Sequence, residues 1–526
     1  MPALLHDLIC RSAARTPDAP ALLHKSTTLT YAQLWHQVEA CARGLIGLGL
    51  SVDERVAVYL PKLPETVIGL FAAAAAGGVF VPVNPILKTE QVAHILRDCN
   101  VRVLMTSPDR AALLGDILIS CPDLRHVVVV GGETDRLPAA VRRLARTWTE
   151  LLDGLTGVPH RRIDADMAAI LYTSGSTGRP KGVVLSHRNL VAGARSVAEY
   201  LENGPQDRLL AVLPLSFDYG LSQSTTAFHV GASLVLMDYL LPRDVVRAVA
   251  RYGVTGLAAV PPLWNQLAAL AWPDEAVASL RYLTNSGGAM PPATTRALRA
   301  ALPHTRLYLM YGLTEAFRST YLPPQEIDTR PDSIGKAIPN AEVLVVREDG
   351  TECGPGEPGE LVHRGALVSL GYWGDEAATA ERFRPAPGRP SGLQVPEMAV
   401  WSGDQVRRDN DGYLYFIGRK DEMIKTSGYR VSPTEVEEVV YRYGGVAQAV
   451  AFGVPHPMLG EAIIVLAQPG QAQVTPAGLL AHCRELLPAY MVPAELRFQE
   501  ALPRNANGKI DRRALADEYH DFFAAS

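Results

Sequence analysis

Apolar residues along this chain switch repeatedly between the spacing of a helix and that of a strand. Leu4, Leu5, Leu8 and Ile9 recur at helical spacing ahead of Pro17 and predict a short amphipathic helix packed on the body of the protein. Residues 31–48 keep a helical period, and residues 55–60 alternate as a strand. The most apolar run, 67–81, contains Gly77-Gly78 and is closed by Pro82. It falls short of the roughly 20 residues a membrane span needs, so it predicts a buried Ala-rich helix and then a strand at 79–83. Further strands are expected at 101–105, 127–130, 167–172, 182–186, 209–213, 232–237, 255–260, 281–285 and 307–310, with Pro261-Pro262 ending one of them. Helical segments are expected at 89–97, 139–146 and 187–201. Strands alternating with helices make a mostly parallel sheet.

Short strands separated by turn residues at 341–364 predict a small β-rich subdomain. After Gly418 the pattern starts afresh: a strand, a helix at 432–443, strands at 447–453 and 462–467, and a helix at 478–486. The predicted fold class is therefore α/β. A large N-terminal domain, 1–418, has mostly parallel sheets flanked by helices plus the β-rich subdomain, and a small C-terminal α+β domain occupies 419–526.

Composition narrows the function. With 526 residues and 48% hydrophobic content, the chain can bury several domain-sized cores. A net charge of −5 without any block of like charge excludes an electrostatic footprint for nucleic acid or an anionic membrane, which leaves small molecules as the expected partners. The six cysteines form no CxxC pair and the histidines no HExxH spacing, so neither a disulfide framework nor a zinc site is indicated. The first residues lack the basic and apolar regions of a secretory signal, so the expected location is the cytoplasm.

The densest chemistry lies in Thr173-Ser174-Gly175-Ser176-Thr177-Gly178-Arg179-Pro180-Lys181-Gly182. Glycines let a backbone approach a ligand, hydroxyls add donors, and Arg179 and Lys181 supply positive charge, the parts that hold a polyphosphate. The common P-loop ends Gly-Lys-Ser/Thr and opens a helix, whereas here a β-branched run follows and the loop joins two strands. Read on composition alone, the same cluster is equally a plain surface turn.

In its order of residues, the stretch from Tyr172 to Lys181 resembles the phosphate loop of the adenylate-forming superfamily, which includes acyl-CoA synthetases, peptide-synthetase adenylation domains and luciferases. Further motifs extend the resemblance over essentially the whole chain. Ser286-Gly287-Gly288-Ala289 implies a turn laid against the adenine and the acyl pocket, with Asn285 at its root as a substrate contact alongside Phe217 and Asp218. Tyr311-Gly312-Leu313-Thr314-Glu315 implies an adenine platform at Tyr311, an α-phosphate contact at Thr314 and a Mg²⁺ ligand at Glu315. Asp404 matches a ribose clamp, a role that suits a carboxylate because both vicinal hydroxyls can donate to it. Arg419 matches a nucleotide contact and Asp421 a hinge. Residues 424–430 match a mobile loop in which Gly428 admits a pantetheine arm, and Lys509 matches the catalytic lysine, although an exposed lysine is ordinarily just a solvated charge.

The resemblance implies an AMP-forming acid–thiol ligase using ATP, Mg²⁺ and coenzyme A. The alternative it leaves open is an amino-acid-activating ligase that loads the phosphopantetheine of a carrier protein. Phe217-Asp218 bears on that choice. Many acyl- and aryl-CoA ligases carry a histidine near this position, whereas amino-acid adenylation domains carry Phe-Asp, the aspartate holding the substrate ammonium. The sequence follows the second pattern at Phe217-Asp218 but does not continue it through Tyr219-Gly220-Leu221. Asp218 therefore has two readings, ammonium receptor or structural acid paired within the protein. Together with 215–220, the opening segment resembles acyl-CoA ligases associated with exosortase and exopolysaccharide gene clusters.

Overall fold

The computed structural model describes residues 2–523 except 136, 154–156, 174–179, 389–391, 393, 421, 427–428, 457–458, 471–473 and 506–507. Ser174, Gly175, Ser176, Thr177, Gly178, Asp421 and Gly428 thus lie outside the described residues.

The apolar runs form the strands the pattern predicts. Arg208–Ala211, Ser233–Leu236, Gly256–Ala259, Tyr282–Asn285 and Arg306–Tyr311 pair in parallel within a sheet of 14 strands among the described residues. Strand Arg208–Ala211 lies between Ser233–Leu236 and Gly256–Ala259, so the chain leaves it to one side and later returns on the other. Such a switch point opens a crevice at the carboxyl ends of the strands, where ligands bind in open α/β sheets. A second sheet of eight strands contains Arg55–Tyr59, Val79–Pro82, Val101–Thr106 and the antiparallel pair Met167–Thr173 and Lys181–Ser186. That pair frames the glycine-rich loop, so the loop does join two strands.

Helix Pro64–Ala76 is buried all round, as its composition predicts. Among the described residues no helix is long and apolar enough to cross a membrane.

One expectation needs correction. The helix expected at 139–146 ends after Ala139–Arg142, and Ala145–Thr147 adds a strand to the second sheet. The β-rich stretch, Ala341–Val346 and Pro358–Gly365 with Met398–Arg408 and Leu414–Arg419, joins the edge of the 14-stranded sheet and carries apolar clusters of its own around Leu361 and around Val362. Strand Gly256–Ala259 ends ahead of Pro261-Pro262 as expected, and the two prolines also begin a helix, Pro261–Leu267, because proline suits a first helical turn.

The C-terminal region has its own five-stranded sheet and its own apolar cluster, including Val436, Val440, Ile463 and Leu479. Strand Glu495–Phe498 and helix Arg512–Glu518 complete it. Arg512 holds that helix to Pro433–Arg442 by donating to Glu437 Oε1 at 2.8 Å and to Glu422. Contacts to the large region include Asn265 Nδ2 donating to Ala447 O at 3.4 Å and the ion pair Lys420–Glu348 at 3.6 Å.

Candidate active site

The carboxyl ends of the parallel strands bring the sequence motifs together. Beyond Arg208–Ala211 the chain turns at Pro214 and enters helix Asp218–Val230, with Phe217 as its extended N-cap. The turn packs so closely that a side chain at Gly220 would meet Pro214 O at 2.0 Å. Asp218 therefore occupies the first turn of a helix, where the macrodipole favours an anion. It is buried, which pushes its carboxyl above the ordinary range, while the charges of Arg318 and Lys509 pull the other way. Gly220→Ala should force the helix start away from Pro214 and destabilise the protein by about 1–3 kcal/mol. Acid-dependent activity should fall more than stability at assay temperature explains. Thermal unfolding and exchange kinetics of the variant check this, and wild-type values for both would refute it.

Lys509 comes from the small region. It sits on a tight turn: Asn505 N donates to Lys509 O at 2.8 Å, Lys509 N to Asn505 Oδ1 at 3.1 Å, and Gly508 adopts φ of +79°. Its side chain runs over Gly287, where an added Cβ would meet Lys509 Cε at 3.5 Å and Phe217 Cζ at 3.8 Å. An added Cβ would only touch these groups at ordinary contact distance, so it is the φ of +81°, which other residues rarely adopt, that favours glycine at 287. Asn285 is buried at the root of this turn and its amide donates to Gly288 O at 3.0 Å, so its visible work is to shape the turn. Gly288 and Ala289 are exposed.

A second group forms around Asp404, which strand Met398–Arg408 buries beside Tyr311. The Tyr311 hydroxyl donates to Asp404 Oδ2. Oδ1 lies 3.4 Å from Arg419 Nε but accepts no hydrogen bond among the described residues. Burial raises the Asp404 carboxyl, with Arg419 opposing. This buried oxygen without a donor fits a ribose hydroxyl. Tyr311, partly buried, has its ring tilted against Phe416 at 6.3 Å, and Gly312 backs directly onto Arg318.

The third group is centred on Glu315, in the short turn Thr314–Ala316 that follows strand Arg306–Tyr311. The Tyr372 hydroxyl donates to Glu315 Oε1 at 2.5 Å, and Arg382 Nε is 3.9 Å away. Burial and the Glu315 charge raise Tyr372, which keeps its hydroxyl proton as the donor. Lys181, at the end of the glycine-rich loop opposite Thr173, lies 5.2 Å from the Tyr372 ring centre and 3.7 Å from Asp375 Oδ2. The charge of Arg382 also opposes the rise at Asp404. Among the described residues no cluster of three or more His, Cys, Asp or Glu gathers. A single carboxylate fits Mg²⁺ held mainly by waters and by the phosphates of its nucleotide.

Tyr372, Arg382 and Arg318 escaped the sequence reading. Each is a lone residue outside a motif, Tyr372 brought in by strand pairing, Arg382 by the end of helix Glu376–Arg382 and Arg318 by a turn. The one available signal was the position of Arg318, four residues after Thr314.

Comparison with known proteins agrees with this geometry. Residues 9–373 match the model of the AMP-binding enzyme family, and residues 435–509 match that of the AMP-binding enzyme C-terminal domain. A long-chain-fatty-acid–CoA ligase of Salmonella typhimurium is 30% identical over 98% of this chain and 94% of its own length. Phenyloxazoline synthase MbtB of a Mycobacterium species is 33% identical over 98% of this chain, which spans only 42% of that protein. The solved anthranilate CoA ligase AuaEII in complex with anthranoyl-AMP superposes with a TM-score of 0.87 at 25% identity, covering 99% of this chain and 98% of that one.

Proposed function

Since the chain belongs to the AMP-binding enzyme family, we propose that it is an AMP-forming acid–thiol ligase. It joins a carboxylic acid to ATP as an acyl-adenylate, releases pyrophosphate, and passes the acyl group to the thiol of coenzyme A. The observation that carries this reading is Lys509, brought from the small region to lie over Gly287 on the turn that Phe217 also approaches, close enough for its charge to act on Asp218.

The reaction explains why a cation is needed there. A carboxylate must attack the α-phosphorus of ATP although both are anions, so positive charge has to be fixed in advance where negative charge develops. In this reading Asp404 and Tyr311 hold the nucleoside, with Arg419 beside them. Thr173, the 174–178 backbone and Lys181 hold the phosphates, and Thr314 contacts the α-phosphate. Mg²⁺ on Glu315 would neutralise phosphate charge when bound. A new bond joins the carboxylate oxygen to the α-phosphorus, and the bond to pyrophosphate breaks. A thiolate then attacks the acyl carbon, forming the thioester as AMP departs with the bridging oxygen. Neither step needs a covalent intermediate on the enzyme.

The large and small domains divide at 418/419 in this reading, with Asp421 as the hinge and Gly428 beside the pantetheine path. Acid-dependent exchange of pyrophosphate into ATP, followed by detection of a coenzyme A thioester, tests the proposal. Exchange that ignores the acid, or AMP formed without thioester, would count against it.

One observation favours activation of an amino acid for a carrier protein instead: Asp218 is a buried carboxylate at the acid end of the site. If it receives an ammonium, Asp218→Ala should lower exchange with amino acids by about 10² or more, since a site built for a polar group depends on that pairing. Acids lacking an amino group should change only a few-fold. If wild-type enzyme activates only acids without an amino group, the coenzyme A reading stands and Asp218 is structural.

A further inference from the structure

Arg318 is a strongly buried charge near the site that the reaction above does not employ. The chain reaches it through Phe317, whose φ of +55° is left-handed although the residue is not glycine. This turn drives the arginine side chain inward until it is 2% exposed. Its guanidinium carbon lies 4.7 Å from the centre of the Tyr219 ring. Nη1 makes one long hydrogen bond, to Ser286 Oγ at 3.5 Å. Nε and Nη2 are buried and find no acceptor among the described residues. Asp218 feels the charge of Arg318 without a hydrogen bond to it.

The surroundings locate this group on the acid side of the site. Tyr219 follows Asp218, and Ser286 precedes the Gly287 over which Lys509 lies. Along the helix that begins at Asp218, the hydroxyls of Ser222 and Thr226 continue the same face one and two turns on. They too are buried without a hydrogen-bond partner among the described residues. A guanidinium stays protonated at any pH a protein tolerates and offers five donors in a planar fork. Buried with two donors unmet, it is costly unless a ligand supplies the acceptor. A plain alkyl chain cannot do so, whereas a carboxylate matches the fork of Nε and Nη2.

We infer that Arg318 is a specificity-determining residue, and that the pocket takes a carboxylic acid bearing a second oxyanionic group. The second group accepts from Nε and Nη2 of Arg318 while the reacting carboxylate faces Lys509. This rests on the ligase reading. The competing account makes Arg318 only a distant counter-charge for Asp218, with no contact to substrate.

Matched acids separate the two: succinate against butyrate, glutarate against pentanoate, and aspartate and glutamate against 2-aminobutyrate and norvaline. These are compared by acid-dependent pyrophosphate exchange with wild-type enzyme and with Arg318→Met, which keeps an unbranched apolar stem and removes the charge. Wild type should prefer at least one diacid over its partner by about 10²-fold or more in kcat/KM, the discrimination a charged hydrogen-bonding site makes against an analogue lacking the group. Arg318→Met should erase that preference while gaining activity on the alkyl partner, and Arg318→Lys should keep part of it. The gain on the alkyl acid shows that the variant is folded. Equal use of both members by wild type, a preference for the alkyl acid, or a preference unchanged in Arg318→Met overturns the inference and leaves the ligase reading intact. Exchange with none of these acids also overturns the inference, while the ligase reading is decided separately by exchange with long-chain and aryl acids.

Discussion

Replacing Lys509 by alanine should lower acyl-adenylate formation by about 10²- to 10³-fold, the usual cost of removing one preorganised electrostatic donor. Conversion of a supplied acyl-adenylate to thioester should stay near the wild-type rate. The asymmetry follows from the charges. In the first half-reaction two anions meet, and the lysine lying over Gly287 is the cation that the small region contributes there. In the second, a thiolate attacks an acyl carbon already activated by its adenylate, and a lysine between the incoming thiol and that carbon obstructs more than it assists. Pre-steady-state pyrophosphate release and single-turnover thioester formation, measured separately, check the prediction. Equal loss in both steps would mean that Lys509 is needed for the shape of the site rather than for the charge that develops in adenylation.

The other large effect is expected at Asp421, through backbone conformation. Its neighbours are well anchored: Lys420 N donates to Gly403 O at 2.7 Å, and Glu422 N to Arg419 O at 3.1 Å. On the proposed function, the arrangement in which Lys509 lies over Gly287 is the adenylating one. Thiol transfer requires the small region to withdraw that lysine, and the rotation must be absorbed by a few backbone torsions between the two regions. Proline fixes φ and would oppose the change. Asp421→Pro should therefore keep adenylate formation within several-fold of wild type. Thioester formation should fall by about 10², the scale of loss when reacting groups are held out of place. An unimpaired second step would rule out a hinge at this residue.

The sequence makes some parts of this molecule far plainer than others, for physical reasons. Strands buried on both faces, such as Val79–Pro82 and Arg306–Tyr311, read as unbroken apolar runs and are legible. Helix Asp218–Val230 is not, because it is buried on every side and carries Ser222, Gln223, Ser224, Thr225 and Thr226. It shows neither an amphipathic stripe nor a run of apolar residues, and tertiary packing decides its conformation. Strand Ala145–Thr147 is too short to carry a period of its own. The candidate site divides in the same way. Tyr311, Glu315, Asp404 and Lys509 stand in contiguous motifs whose residue types suggest their chemistry. Arg318, Tyr372 and Arg382 are lone residues whose meaning comes from what they touch: the Tyr219 ring, the Glu315 carboxylate and the neighbourhood of Asp404.

The most direct test of the central claim, that the carboxylate of the acid attacks the α-phosphorus of ATP, is to follow its oxygens. The enzyme is supplied with ATP, Mg²⁺, coenzyme A and an accepted acid labelled with ¹⁸O in both carboxylate positions, and the products are weighed by mass spectrometry. The acyl-adenylate route sends one labelled oxygen into AMP when the thiol displaces the nucleotide, leaves the other in the thioester carbonyl, and puts none into pyrophosphate. Unlabelled AMP, or ADP and labelled phosphate in place of AMP and pyrophosphate, would contradict it.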